Sequence, residues 1–393
     1  MNFVHVSKSL FYDIQEKYLY PVINSTWEQQ QLSVMEEARQ KELVNLCGDG
    51  RCDSPGHNDK YGTYNMMGEE NGKVISFSLV QVTEVTSSNA MEREGFKRCI
   101  DDIQTQGLTI HRVATDRHLS ISSDMNKKYQ DINHQFDVWH VAKSVVKKLT
   151  QKSLLKGNGD LKPWIQSVSR HLWWSAATCG RDASNLKEKW VSVVNHVANK
   201  RSWSDGQNFH KCAHGTLSSR DKKEIQWLKP GSPAHIALED VVTNPRLLKD
   251  LGKLTDFCHT GALEVYHSLM LKYCPKREHF SYKGMQARTQ LAALDNNANT
   301  GREQAMITSG ERTGERRYKK SFPKAYKHWV VKPVLDQKTY TYREDMLEAV
   351  IKKCQHNDAK RIPILRTIPR NIASVIPPSK DELIERHKSR FNN

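Results

Sequence analysis

Long apolar runs are missing from this chain of 393 residues. No stretch of about 18 apolar residues occurs, which leaves no candidate for a bilayer-spanning helix. A cleavable leader is not expected either, because the opening MNFVHVSKSLFYDIQEKYLYP carries Lys8 but no small-residue cleavage site behind an apolar stretch. Cysteine is too sparse for a disulfide scaffold. The eight thiols (Cys47, Cys52, Cys99, Cys179, Cys212, Cys258, Cys274 and Cys354) are scattered and read as reduced, in cytoplasm or nucleus. Acidic residues are outnumbered, 44 against 60 Lys and Arg, which leaves a net charge of +16 and a pI near 9.4. A solvated basic surface accounts for part of such an excess. On a globular chain it more often means a polyanionic partner, here nucleic acid. Apolar side chains make up 37%, enough for a real core in two or three domains, or in one domain with a large insertion.

Residues 1–41 read as a helical segment, with Trp27, Leu32, Met35 and Leu43 at roughly helical spacing and no turn signal before Gly48. Three strand candidates follow: LVNLCGD, YGTYNMM and GKVISFSLVQV. In the third, alternation places Ile75, Phe77 and Leu79 on one face and Ser76 and Ser78 on the other. EENG suits a hairpin between the second and third. A helix over about Asn89–Thr105 carries the stripe Phe96, Cys99, Ile100 and Ile103. LTIHRVATD is a fourth strand closed by Asp116, and a polar helix lies around Asp124–Tyr129. INHQFDVWH is a fifth strand running into the helix VAKSVVKKL. Three antiparallel strands followed by crossovers into parallel ones is the order of a ribonuclease-H-like mixed α/β sheet. The first part of that core spans 42–150.

Residues 151–255 read as an α-helical insertion rich in Trp. PWIQSVSRHLWWSAATC opens a helix at Pro163–Trp164, and Leu186, Trp190, Val193, Val194 and Val197 form one stripe. The core resumes over 256–300 with the helix GALEVYHSLMLKY, which turns Leu263, Tyr266, Met270 and Tyr273 inward and ends at Cys274–Pro275. Residues 301–393, with GERTGERRYKK and the Pro-rich RIPILRTIPRNIASVIPP, read as a basic, mostly irregular tail.

Three carboxylates fall where a metal-dependent nuclease needs them: Asp49 and Asp116 at the ends of the first and fourth strands, and Glu264 on the polar side of the late helix. Ligand sites collect at such strand ends. A phosphodiester repels nucleophiles by its charge. Two Mg²⁺ ions about 3.5–4 Å apart stabilise attacking and leaving oxygens alike, and holding them takes hard oxygen ligands. Both aspartates have an ordinary alternative, Asp49 as turn chemistry and Asp116 as a helix cap; the three acids together with the strand order favour the metal site. Asp53, within GDGRCDSPGH, rivals Asp49. Asp137 and His140 join the fifth strand to its helix, as a cap with a partly buried imidazole or as groups that orient a phosphate or Asp116. Lys143, Lys147 and Lys148 continue that helix as a phosphate-tracking edge or as a solvated face. His210, Cys212 and His214 form one tight cluster whose distant partners are Cys179, Cys258 and His259. A closed zinc site calls for four ligands in paired spacings, so structural zinc is the minority reading.

GDGRCDSPGH…YGTYNMM, FSLVQVTEVTSSNAMEREGFKRC, VATDRH, HQFDVWHVAKSVVKKL, HLWWSAATC, FCHTGALEVYHSLMLKYCPKR and GMQARTQLAALDNNAN together resemble Kolobok-type DNA transposases, over about Leu43–Arg302. The resemblance implies a DDE catalytic core interrupted by a helical insertion, with Asp49, Asp116 and Glu264 as the triad and Asp137 and His140 as the D-x-x-H element. It implies two Mg²⁺ or Mn²⁺ ions held by these acids, with Asp137 among the ligands, and cleavage and strand transfer of DNA. Assembly of copies on DNA, in the nucleus, follows from it. Two departures stand out. Residues 1–41 lack the ligand pattern of a zinc-bearing DNA-binding domain, and Gly68 replaces an acid expected after the second strand. A host-recruited descendant that binds DNA or chromatin without cutting is the alternative. A resolvase or RNA-cleaving enzyme of this fold fits the large insertion less well.

Overall fold

The computed structural model describes residues 6–41, 43–55, 59–204, 206–215, 217–218, 224–324, 327–364, 368–369 and 378–387. Its centre is a mixed sheet of five strands: β1 (Val44–Cys52), β2 (Tyr61–Gly68), β3 (Val74–Gln81), β4 (Ile110–Thr115) and β5 (Asn133–Phe136). The order is β3-β2-β1-β4-β5, antiparallel from β1 to β3 and parallel across β1, β4 and β5. This is the expected ribonuclease-H-like α/β fold. The EENG hairpin forms, with Gly72 at φ +63°, where only glycine is at ease.

Both faces of the sheet are covered. Leu46, Tyr64, Met66 and Val113 pack against Phe96, Cys99, Ile100 and Ile103 of α3 (Ser88–Thr105). The alternate residues Cys47, Met67 and Ala114 meet Leu263, Tyr266 and Met270 of a late helix, together with Trp27. One departure from alternation is informative. A register shift between Met66 and Met67 sends Ile75 to the α3 layer, while Val74 and Phe77 join the other. The Asn297 side chain accepts from Val74 N at 2.7 Å and donates to Val74 O at 2.9 Å. It satisfies the backbone of an edge strand at its irregular point.

The N-terminal rod is α1 (Lys8–Ile14), a π-helical turn (Gln15–Leu19) and α2 (Tyr20–Arg39). Trp27 and Met35 are buried in it, but Leu32 is exposed and Leu43 lies exposed beyond its end. The polar helix after β4, α4, spans Leu119–Lys128, five residues ahead of its expected start, because His118 caps it through Nδ1, 3.3 Å from Ile121 N. The helix after β5, α5, begins at Val138, since Asp137 caps it.

Beyond α5 (Val138–Ser153) come a 3₁₀ turn (Gly159–Trp164) that contains Pro163, then α6 (Ile165–Thr178), α7 (Ala183–Val191), α8 (Val193–Val197), α9 (Pro233–Val242) and α10 (Pro245–Leu251). They share one core with α5, built on Val141, Val145, Leu149, Leu172, Trp190 and Leu238. The late helix α11 (Gly261–Met270) stops short of Tyr273 and is followed by α12 (Tyr282–Asn299), a helix whose Thr289, Gln290, Asp295, Asn297 and Asn299 are buried. The stretch expected to be mostly irregular holds an antiparallel pair, β6 (Tyr318–Ser321) with β7 (Val330–Pro333), then α13 (Thr341–Gln355) and α14 (Lys380–Glu385). Met346 of α13 is buried in the core that α2 shares. Of the Pro-rich run 361–378, residues 365–367 and 370–377 lie outside the described residues.

Trp190 is fully buried, and its indole N–H donates to Val242 O at 2.9 Å. Trp190→Ala should cost about 3–5 kcal/mol, read as a lowered midpoint in urea denaturation.

Candidate active site

Along the parallel pair, the last residues in register are Cys47 of β1 and Ala114 of β4. Two positions further on each chain stand Asp49 and Asp116, so alternation carries both carboxylates to one face. Asp49 is not at the end of its strand: β1 runs on to Cys52, with Asp49 opposite Asn65 of β2. The site therefore opens where β4 stops and β1 continues.

A third carboxylate reaches this point from α3. Oxygen atoms of Asp49, Glu92 and Asp116 all lie within 4.8 Å of one another. Gly50 permits the approach, since a Cβ there would stand 2.6 Å from Glu92 Cγ. Burial pushes the Asp49 carboxyl up to about 7, helped by the charge of Asp116 and then Glu264, against a 2.8 Å bond from Gly50 N. Burial, then Asp116 and Asp49, pushes Glu92 up to about 8. Three such groups cannot all stay charged without a counter-charge. The donor set is all hard oxygen, which suits a divalent cation such as Mg²⁺ or Mn²⁺.

Glu264 lies in the first turn of α11, mostly exposed, and lines a cavity of about 400 Å³ with Asp49, Arg51, His267 and Lys276. It stands outside the tight carboxylate group but within the reach of its field. His140 Nε2 is 3.8 Å from Glu264 Oε1, which brings together two residues singled out separately in the sequence. One turn along α11, His267 Nδ1 is 3.5 Å from Asp49 Oδ2, while its Nε2 accepts from Asn65 Nδ2 at 3.1 Å. That bond places the proton on Nδ1, toward Asp49. Burial, then Arg51 and Lys276, lowers His267 to about 3, so the ring is neutral.

Asp137, expected among the metal ligands, is not brought to the group. Its Oδ1 caps α5 by accepting from Trp139 N at 2.6 Å, and its Oδ2 accepts from both the backbone N (3.1 Å) and the hydroxyl of Thr260. The side chain is buried and ties α5 to the loop that leads into α11. Asp53 is turned away too, its Oδ1 accepting from Lys60 N at 3.0 Å in the β1–β2 connection. Lys143, Lys147 and Lys148 are exposed on α5, with Lys143 Nζ 4.4 Å from the Trp139 ring centroid. The histidine–cysteine cluster forms with a different member. Cys212 and His214 meet His196 of α8, whereas His210 bonds Gln207 O, Cys179 bonds Thr255 O and His259 stacks on Trp173.

Glu92, His267 and Asn65 were not legible as site residues in the sequence. Glu92 sits in a helix start, NAMEREG, that reads as ordinary solvated charge. The available signal was Gly50, a gap in a strand that something had to fill.

No family model matches the chain, and no curated protein does. Among solved structures, the chain is similar to a Drosophila P element transposase strand transfer complex, at 9% identity and a TM-score of 0.27, over 64% of this chain and 76% of that one. The sheet order and side-chain geometry define the class on their own: a ribonuclease-H-like protein with a crowded acidic centre.

Asp116→Asn keeps the acceptor that holds His118 N at 3.0 Å and removes one carboxylate of three. In metal-free buffer near pH 8 it should raise stability by on the order of 1–2 kcal/mol, seen as a higher melting temperature. A lower one would mark Asp116 as a structural residue.

His134 buttresses the same strand end. Its Nδ1 accepts from Lys253 at 2.8 Å, so Nε2 carries the proton toward Thr115 Oγ1, 2.9 Å away, and Thr115 Oγ1 donates to Asp116 O. Burial, then Lys253, lowers this histidine to about 3. A folded value below the unfolded one of about 6.5 means the contribution is full above that pH and is lost as pH falls toward the folded value. Chemical denaturation between pH 6.5 and 4 should therefore show stability falling with pH. The slope attributable to His134 is up to about 1.4 kcal/mol per unit, and it should be absent in His134→Gln.

Proposed function

We propose that the chain is a metal-dependent DNA nuclease of the DDE type, the catalytic core of a Kolobok-type transposase that cleaves and rejoins strands. The observation that carries this reading is the convergence of Asp49, Asp116 and Glu92 within 4.8 Å, beside a cavity whose rim holds Glu264. Hard, crowded, half-buried carboxylates fit two Mg²⁺ or Mn²⁺ ions. When bound, such ions polarise the phosphoryl oxygen and lower the pKa of the attacking water. Asp49 and Asp116 would hold that charge from the sheet and Glu92 from α3, with Glu264 facing it from α11. His267 keeps Asp49 oriented. His140 steadies Glu264, and Lys276 offers a cation to substrate phosphate. Asp137 serves as the staple that fixes α5 against α11. The helices of 151–255 are an insertion into this core.

DNA would lie along exposed Lys143, Lys147 and Lys148. The β6–β7 pair adds Lys319, Lys320 and Lys332 beside exposed Tyr318 and Trp329, a pairing of cations and aromatic rings suited to nucleic acid. Work in the nucleus, by an assembly of copies on DNA, belongs to the same reading.

The test is nicking of supercoiled plasmid and cleavage of labelled oligonucleotides with Mg²⁺ or Mn²⁺. Wild type should cut, and Glu264→Gln and Glu92→Gln should each lose on the order of 100-fold or more. Full activity in Glu264→Gln with none in Glu92→Gln would make Glu92 the third catalytic acid. No cutting by wild type, with salt-sensitive DNA binding retained, would replace this reading with that of a host-recruited binding protein.

A further inference from the structure

The geometry points to a zinc site on the helical segment, remote in sequence from the acidic centre, with His196 Nδ1, Cys212 Sγ and His214 Nε2 as ligands. The ligand atoms of these three residues lie within 4.8 Å of one another. His196 Nδ1 is 3.4 Å from Cys212 Sγ. Zn–S and Zn–N bonds of about 2.3 and 2.0–2.1 Å, meeting at a tetrahedral angle, imply a sulfur–nitrogen separation of roughly 3.5 Å. The pair already stands at that spacing.

A second observation concerns what the imidazoles face. Arg201 Nη1 is 2.8 Å from His214 Nε2 and 3.4 Å from His196 Nδ1. Both ring nitrogens thus present lone pairs to one cationic group, as metal ligands do. The guanidinium is also held over Trp227, 4.7 Å from the ring centroid, so a metal displaces both contacts of that one nitrogen and leaves the stacking. One thiolate with two imidazoles is a soft and borderline set that selects zinc over Mg²⁺ or Ca²⁺. The three line a cavity of about 320 Å³ with Trp174 and Phe209, which leaves room for water at the fourth position.

The chain around the cluster explains what the metal does. After α8 it doubles back on itself: Trp203 N donates to His210 O and Cys212 N to Arg201 O, each at 2.9 Å, and Ser202 pairs with Lys211. So short an antiparallel turn is marginal in water. Cys212 and His214 on its return arm and His196 on α8 let one ion staple it down.

The test is metal analysis of the full-length chain expressed with zinc and dialysed extensively, followed by exchange with Co²⁺. Wild type and Asp116→Asn should each retain about one zinc per chain, and Cys212→Ser and His196→Ala should fall to background. The cobalt form should show a thiolate-to-metal charge-transfer band that Cys212→Ser lacks. Zinc at background in wild type would overturn the site, leaving a thiol–imidazole hydrogen bond. So would equal zinc in wild type and Cys212→Ser with no thiolate band, and loss of zinc in Asp116→Asn alone would assign the ion to the acidic centre. None of these readouts depends on DNA cleavage.

Discussion

Mutual repulsion among Asp49, Glu92 and Asp116 is the constraint around which the rest is arranged. Burying one carboxylate costs several kcal/mol unless it is neutralised or paired; three within 4.8 Å favour the uptake of a proton or of a cation. The fold meets that condition by placing the group at an opening, where β4 ends and β1 continues, and not inside the core. Asp49 lies within β1, the central strand, and Asp116 directly follows β4, its parallel neighbour.

The supporting contacts follow from that placement. Gly50 clears the path for Glu92, and His267, fixed by Asn65, holds Asp49. The His134–Thr115 chain anchors the backbone at Asp116 from the neighbouring strand, through a histidine kept neutral by burial and then by Lys253. Asp137 brings the start of α5 to the loop before α11, which sets His140 beside Glu264. On the far edge, Asn297 of α12 clasps the irregular point of β3. The polar residues buried here are spent on positioning strands and helices, which explains why so many lie inside the second layer.

Much of this was legible in the sequence and some was not, for identifiable reasons. The sheet order and the closeness of Asp49 to Asp116 followed from the period-two strands and the α3 stripe, whereas the meeting of His140 with Glu264 did not. Ile75 was misplaced because a bulge breaks alternation without any glycine or proline to announce it. Asp137 was expected at the metal, whereas it is a helix cap, the ordinary role of an aspartate before a helix. Glu92 and His196 were missed because each acts with residues distant in sequence: one across a strand glycine, the other across a doubled-back loop. Helix α12 was not read as a separate buried element because its inward face carries Asn, Asp, Gln and Thr, and a hydrophobic stripe does not mark it. The ordered pair β6–β7 was hidden by its basic composition, and helix α13 by the basic and Pro-rich stretches on either side of it.

The central claim is that the carboxylate group is a divalent-cation site. The most direct measurement is anomalous diffraction from crystals grown in Mn²⁺. The account predicts a peak at about 2.0–2.2 Å from oxygens of Asp49 and Asp116, with Glu92 or Glu264 completing the shell, and its disappearance in Asp116→Asn. Well-ordered carboxylates with no peak among them, while Mn²⁺ is found elsewhere on the molecule, would contradict it.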